Sequence, residues 1–270
     1  MRISFSNLAW DVNEDAKIVS LLKEHHVDAI DIAPGKYFPI PAEANKKDIL
    51  AVKNWWGEHG IEIIGMQSLL FGTTGLNVFS TDIIQNLLLK HLAEICRIGS
   101  ILGATRLVFG SPKNRDCSGL TAREVQSVSQ KFFRQLGNIA DDHGVIICLE
   151  PNPAIYGANF MTTTFNTYEV VRNIDHPSIK MQLDTGAVIA NNENIITCLE
   201  NVSSMVGHVH ISEPYLVPPG DTYGSHSVIA SALQKYISNY PITIEMLATQ
   251  NEPHIASVSR ALQFVSLLYR

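Results

Sequence analysis

The sequence predicts an α/β fold, a closed (β/α)₈ barrel of eight parallel strands ringed by helices, in one domain spanning residues 1–270. Short β-type runs alternate with longer helical runs along the whole chain, and parallel neighbours need such crossovers. Eight runs of each kind can be read, and about 250 residues is the usual size of a barrel built that way. No linker-like or low-complexity stretch divides them. A doubly wound open sheet would place a GxGxxG phosphate loop after its first strand, and SNLAWDVNED contains no glycine there.

The elements follow in order. The first strand is Arg2–Ser6, followed by an amphipathic run over Glu14–His25. Ala29–Ile32 and Glu62–Met66 are the next strands, with Lys46–Glu58 between them as a helix. Thr81–Ile101 leads to a fourth strand, Arg106–Gly110. In Ala122–His143, Val125, Val128, Phe132, Phe133, Leu136 and Ile139 recur at three- and four-residue steps, the spacing of one helix face. Thr121 or Ser118 offers it an N-cap, and DDHG supplies a glycine for a left-handed C-terminal turn. Strands at Val145–Glu150, Lys180–Asp184, Gly207–Ile211 and Ile242–Met246 complete the barrel. Their helices are Thr167–Ile174, Asn194–Val202, Ser227–Asn239 and Pro253–Leu268.

Composition narrows the function classes. Hydrophobic residues at 46% and charged residues at 17% provide ample core. A net charge of −6 argues against a nucleic-acid partner, which calls for a basic face. No apolar run reaches the ~20 residues of a membrane span. MRISFSNLAW reads as a strand rather than a signal peptide. Cys96, Cys117, Cys148 and Cys198 form no CxxC pair, so reduced thiols and a cytoplasmic location are expected. Assembly into a homo-oligomer is left open.

Four of the later strands carry polar residues at their C-terminal ends. ICLE ends at Glu150, MQLD at Asp184, HVHI carries His210 and TIEM carries Glu245. A lone buried charge in a strand is costly, but barrels of this kind gather their chemistry at the C-terminal ends of the strands. Three carboxylates and an imidazole suit one divalent ion with open positions: Mn²⁺, Mg²⁺ or Co²⁺ first, with Zn²⁺ also compatible. Taken singly, a strand-end carboxylate is as well explained by a helix N-cap or an ion pair; four on successive strands favour the metal. Period two places Cys148, Gln182, His208 and Thr243 on the same strand faces as these ligands. Facing inward, Gln182, His208 and Thr243 would form a polar layer beneath the ion.

CLEPNP, MQLDTG, GHVHISEP and TIEM, with MQSLLFG and RLVFGSPKNR in support, resemble the xylose-isomerase-like superfamily of TIM barrels over essentially the whole chain. The match lies closest to its sugar phosphate isomerase/epimerase branch. The resemblance implies a metal-dependent isomerase or epimerase of a small sugar or sugar phosphate. Glu150, Asp184, His210 and Glu245 would bind the metal, and Glu150 and Glu245 would serve as acid and base on opposite substrate faces. The ion would chelate a carbonyl and its neighbouring hydroxyl and stabilise an enediolate, while one glutamate removes a proton from carbon and the other returns one. An inosose-dehydratase-like lyase is the alternative enzyme, and a metal-free binding barrel the non-enzyme alternative. Tagatose-3-epimerase-like members carry a histidine, an arginine and a glutamate where this chain has Ala187, Leu216 and Tyr156, so their free-ketohexose specificity does not carry over. Endonuclease IV needs further histidines where Gln67, Phe109–Ser111 and Ala187 stand, which sets a nuclease aside.

Other strand-end residues are candidate substrate contacts. Lys113 and Arg115 in GSPKNRD would form either an anion pocket for a phosphate or carboxylate or a solvated loop carrying two charges, and the resemblance favours the pocket. Asn7, Trp10, Gln67, Asn152 and Asn159 are placed to bond hydroxyls or stack on a sugar, although each taken singly is better explained by a structural role. Glu213 and His226 bracket EPYLVPPGDTYGSH, a loop placed to cap the site.

Overall fold

A computed structural model describes residues 1–222 and 225–270, so Tyr223 and Gly224 of the expected capping loop lie outside the described residues. Eight parallel strands close into a barrel in sequence order: β1 Ile3–Ser6, β2 Ala29–Ile32, β3 Glu62–Met66, β4 Arg106–Phe109, β5 Ile146–Leu149, β6 Ile179–Asp184, β7 Val206–Ile211 and β8 Ile242–Ile244. Closure is made by β1 against β8, with Ser4 opposite Thr243 and Phe5 opposite Ile244. Outside lie α1 Asp15–Glu24, α2 Lys46–Glu58, α3 Asp82–Leu102, α4 Ala122–Asp142, α5 Thr164–Ile174, α6 Thr185–Ala190, α7 Ile195–Val202, α8 His226–Ile237 and α9 His254–Tyr269. The predicted barrel is the fold observed.

The helices form where the apolar spacing lies. Leu88, Leu92, Ile95, Cys96 and Gly99 of α3 are buried at three- and four-residue steps against the strands. In α4, Thr121 caps the first turn through the backbone N–H of Glu124, whose carboxylate accepts from the Thr121 N–H in return. Phe133 of α4 packs edge-on against Phe109 of β4, with centroids 5.4 Å apart. Gly144 ends that helix with φ +65°, as DDHG predicted.

Helix α6 is an addition to the predicted set. Its six residues are too few for an apolar period to show, and its N-cap is Asp184, whose side chain accepts from the Ala187 N–H at 2.6 Å. Two register shifts matter for the site. Between β6 and β7 the register steps over Gly207 and sets Asp184 opposite His210. Between β2 and β3 it steps over Ile64 and sets Asp31 opposite Gly65. Such bulges re-aim side chains near functional centres. Among the described residues, no helix is long and apolar enough to cross a membrane.

Candidate metal and substrate site

Glu150 and Glu245 stand one residue beyond β5 and β8, yet each continues the ladder. The Glu150 N–H donates to the Phe109 carbonyl at 3.1 Å, and the Glu245 N–H to the Ile211 carbonyl at 2.9 Å. Both carboxylates are therefore anchored by sheet backbone rather than by a free loop. Asp184 ends β6 and His210 lies inside β7. One ligand-type atom from each of Glu150, Asp184, His210 and Glu245 lies within 4.8 Å of the others.

The centre of this cluster is Nδ1 of the fully buried His210, 3.1 Å from Glu245 Oε2 and 3.6 Å from Glu150 Oε1. The remaining oxygen of each glutamate is held by an amide. Gln67 Nε2 donates to Glu245 Oε1 at 2.6 Å, and Asn152 Nδ2 donates to Glu150 Oε2 at 3.3 Å. Ser212 Oγ donates to Asp184 Oδ2 at 2.7 Å. Three carboxylates confined this closely repel one another. Burial, then the charges of Glu150 and Glu245, push the Asp184 carboxyl up to about 7. Burial also raises Glu150, with Glu245 adding to the effect. His210 is raised well above its usual range: burial opposes this, and the Glu245 charge with the other carboxylates outweighs burial. The four residues fit a divalent cation, because two or more positive charges among three converging carboxylates remove this repulsion and each carboxylate keeps lone pairs to coordinate it.

The expected polar layer lies beneath. Gln182, His208 and Thr243 are buried, and Thr243 Oγ1 is 3.4 Å from His208 Nε2. Hydrogen bonding orients the Gln182 amide with its nitrogen toward the His208 carbonyl at 3.2 Å and its oxygen toward His210 Nδ1 at 3.1 Å. The layer has one member that the reading of the sequence missed, Asp31 of β2. Its Oδ2 is 2.5 Å from His208 Nε2 and 3.5 Å from His210 Nε2. Burial alone would raise the Asp31 carboxyl, but His208 and then His210 hold it well below the usual carboxylate range. The signal was there: AIDI carries a carboxylate inside an apolar strand just as TIEM does.

Above the cluster opens a cleft in two lobes. One, of about 650 Å³, is bounded by the β3 and β4 loops and includes Gln67, Ser68, Phe71, Lys113, Asn152 and Leu247. The other, of about 310 Å³, runs toward β6 and is lined by Pro151, Pro153, Tyr156, Asp184, Ala187 and Tyr215 among others. Pro112, Glu150, Asn152, Leu216 and Glu245 line both, so the two glutamates stand at the waist. Ala187, Leu216 and Tyr156, the three departures from the tagatose-3-epimerase-like pattern, all line the smaller lobe.

Of the expected substrate contacts, Gln67, Lys113, Asn152 and Glu213 line the cleft. The structure corrects the others. Arg115 is 1% exposed, and its guanidinium donates to the Glu150 carbonyl at 2.7 Å and the Gly110 carbonyl at 3.2 Å. It clamps the ends of β4 and β5 rather than facing an anion, and burial pulls its pKa down to about 10. Asn7 is fully buried with its oxygen on the Ala33 N–H at 2.7 Å. His226 is spent on Glu213 Oε1 at 2.9 Å and the Tyr269 hydroxyl at 2.5 Å, which ties the loop to α9 instead of presenting a ring to the cleft. Trp10 donates to Asp15 at 2.7 Å in the core, and Asn159 donates to Asp116 at 2.6 Å on the surface. In each case the residue turns to partners within the fold, backbone groups for Arg115 and Asn7 and side chains for the other three, which strand-end position alone does not reveal.

A family model described as xylose isomerase-like TIM barrel matches residues 19–265. No curated protein matches the chain. D-psicose 3-epimerase from Clostridium cellulolyticum H10, crystallised with D-tagatose, superposes with a TM-score of 0.83 over 100% of both chains at 17% identity. The 3-keto-D-glucoside 4-epimerase YcjR from E. coli gives a TM-score of 0.79 at 17% identity, covering 99% of each chain. An IolI protein with a bound zinc atom gives 0.78 at 17% identity, covering 100% of this chain and 98% of the other. At such identities the likeness is one of fold; the family match over nearly the full length shows that the chain belongs to the xylose isomerase-like TIM barrels.

Proposed function

We propose that the protein is a divalent-metal-dependent isomerase or epimerase of a small sugar or sugar phosphate. The observation that carries this reading is the placement of Glu150 and Glu245 at the waist of the cleft, each with one oxygen fixed by an amide and the other turned toward His210. Two rigidly held carboxylates flanking one point are what proton removal and return at carbon require. The family membership and the fold likeness to sugar epimerases support the same class.

Glu150, Asp184, His210 and Glu245 would hold the cation, which supplies Lewis-acid polarisation of a substrate carbonyl when bound. The donor set suits Mn²⁺, Mg²⁺ or Co²⁺, and Zn²⁺ as well. The chain's residues do the rest. One glutamate takes the proton beside the carbonyl and the other delivers a proton, to the opposite face in epimerisation or to the neighbouring carbon in isomerisation. Gln67 and Asn152 fix which oxygen of each glutamate faces the substrate, and they meet sugar hydroxyls from the same side. Lys113 lines the larger lobe and provides the cation that a phosphate or carboxylate group would meet. Pro151 and Pro153 stiffen the wall that follows Glu150.

Incubating the manganese-loaded protein with a panel of ketoses and ketose phosphates in D₂O tests the reading. One carbon-bound deuterium per turnover is expected in at least one recovered sugar. Binding without exchange across the panel would count against proton-transfer chemistry, and a new ultraviolet-absorbing dione would point to the lyase.

A further inference from the structure

The Asp31 carboxylate is the least expected charge in the molecule. It is fully buried in β2, three strands away from β7 around the barrel, and its Oδ1 has no hydrogen-bond partner. Removing a carboxylate from water costs several kcal/mol unless partners compensate, so its retention calls for a reason. The surrounding backbone makes room for it. The register shift between β2 and β3 brings Gly65 opposite Asp31, and a Cβ at Gly65 would lie 2.5 Å from Asp31 Oδ1 and 2.8 Å from Oδ2. Any other residue at 65 would push the carboxylate aside.

The space so made points Oδ2 at two imidazoles. His208 Nε2 lies 2.5 Å away and His210 Nε2 3.5 Å away. His210 Nε2 is buried and makes no hydrogen bond among the described residues, and the Asp31 carboxylate at 3.5 Å is the acceptor that faces it. The opposite ring nitrogen, Nδ1, is the one that faces Glu150 and Glu245, with the Gln182 oxygen 3.1 Å away as well, so it gives up a proton to them or to solvent when it coordinates an ion. An imidazole coordinating through Nδ1 must carry its proton on Nε2, and a carboxylate beyond Nε2 fixes both that tautomer and the ring plane.

We propose that Asp31 is the positioning residue for His210: from the far side of the ring it holds the Nε2–H tautomer and keeps the Nδ1 lone pair aimed into the carboxylate cluster. His208, bonded to the same oxygen, holds Asp31 in turn, and the missing side chain of Gly65 is part of the device. This rests on reading Glu150, Asp184, His210 and Glu245 as the metal site.

Zinc binding to the metal-free full-length protein tests it, with competition titration for affinity and ¹⁵N NMR for the His210 ring. Wild type should bind one ion per chain, and zinc-loaded protein should show a slowly exchanging Nε2–H resonance for His210. Asp31→Asn should weaken zinc binding about 10- to 100-fold and shift or broaden that resonance, with the far-ultraviolet circular dichroism unchanged. Gly65→Ala, which displaces the carboxylate without removing its charge, should do the same and carries the test if Asp31→Asn does not fold. Wild-type affinity and an unmoved His210 resonance in a folded variant would overturn the proposal while leaving the metal site standing. Two ions per chain would also overturn it, since Asp31, His208 and His210 would then be ligands of a second ion. No zinc bound by wild type would overturn the metal reading and this one with it.

Discussion

Glu245 shows how a residue's chemistry is set by what touches it. Its Oε1 accepts from Gln67 at 2.6 Å and its Oε2 faces His210 Nδ1 at 3.1 Å, so both oxygens have fixed partners. Glu150 repeats the pattern with Asn152 in place of Gln67. Replacing Glu245 with Gln keeps the volume and removes both the proposed base and one proposed anionic ligand. Turnover should fall by about 10²–10⁴-fold, the usual worth of a positioned acid or base. Gln67→Leu, which leaves Glu245 charged but untethered and removes one hydroxyl contact, should lower kcat by a smaller factor and raise KM. Steady-state kinetics on both variants checks the ordering; a Gln67→Leu loss equal to that of Glu245→Gln would mean that the amide contacts the reacting atoms itself.

The ends of β4 and β5 form a single unit because Arg115 joins them. Its two terminal nitrogens reach the carbonyls of Gly110 and Glu150, and Gly110 is itself so close that a Cβ there would strike the Glu150 carboxylate. Arg115→Ala takes the donor from the Glu150 carbonyl, at about 1–3 kcal/mol when fully desolvated, while the Gly110 carbonyl keeps Asn152 Nδ2 at 2.6 Å. The expected result is a lower urea midpoint and a lower kcat, as Glu150 loses its footing. A rise in KM alone, with stability intact, would return Arg115 to the role of an anion contact. This element also marks where reading the sequence succeeds and stops. The strand runs and the apolar helix faces are legible because burial imposes periods of two and near 3.6 on residue type, and the four converging polar side chains are legible because apolar strands rarely carry charge. Whether Arg115 points into the cleft or back under the strand depends on loop torsions that no periodicity encodes. Helix α6 was hidden for a related reason: TGAVIA is too short for a period, and its N-cap, Asp184, carries two roles at once. Asp31 was legible by the rule that found Glu245, since AIDI places it one residue short of its strand's C-terminal end, as His210 lies in β7.

The barrel as a whole concentrates like charge at one end of its axis, and its stability should report that. In the unfolded chain Asp184 ionises near pH ~4, whereas in the fold it holds its proton to about 7. Between those values the folded protein binds a proton that the unfolded chain has lost, so unfolding free energy falls as pH rises. The loss is complete above about 7, and the raised Glu150 carboxyl acts in the same direction. Its size is on the order of 4 kcal/mol for a shift of this extent, shared among coupled carboxylates. A bound divalent ion reverses the sign, because it needs deprotonated ligands and stabilises only the folded state that assembles them. Urea midpoints taken between pH 4.5 and 7.5 should therefore fall with pH in EDTA and rise with pH in excess manganese or zinc. Asp184→Asn should flatten the EDTA series and weaken the metal response. Parallel slopes for wild type and Asp184→Asn in EDTA would show that the carboxylates at the mouth of the barrel do not share the repulsion that their spacing implies.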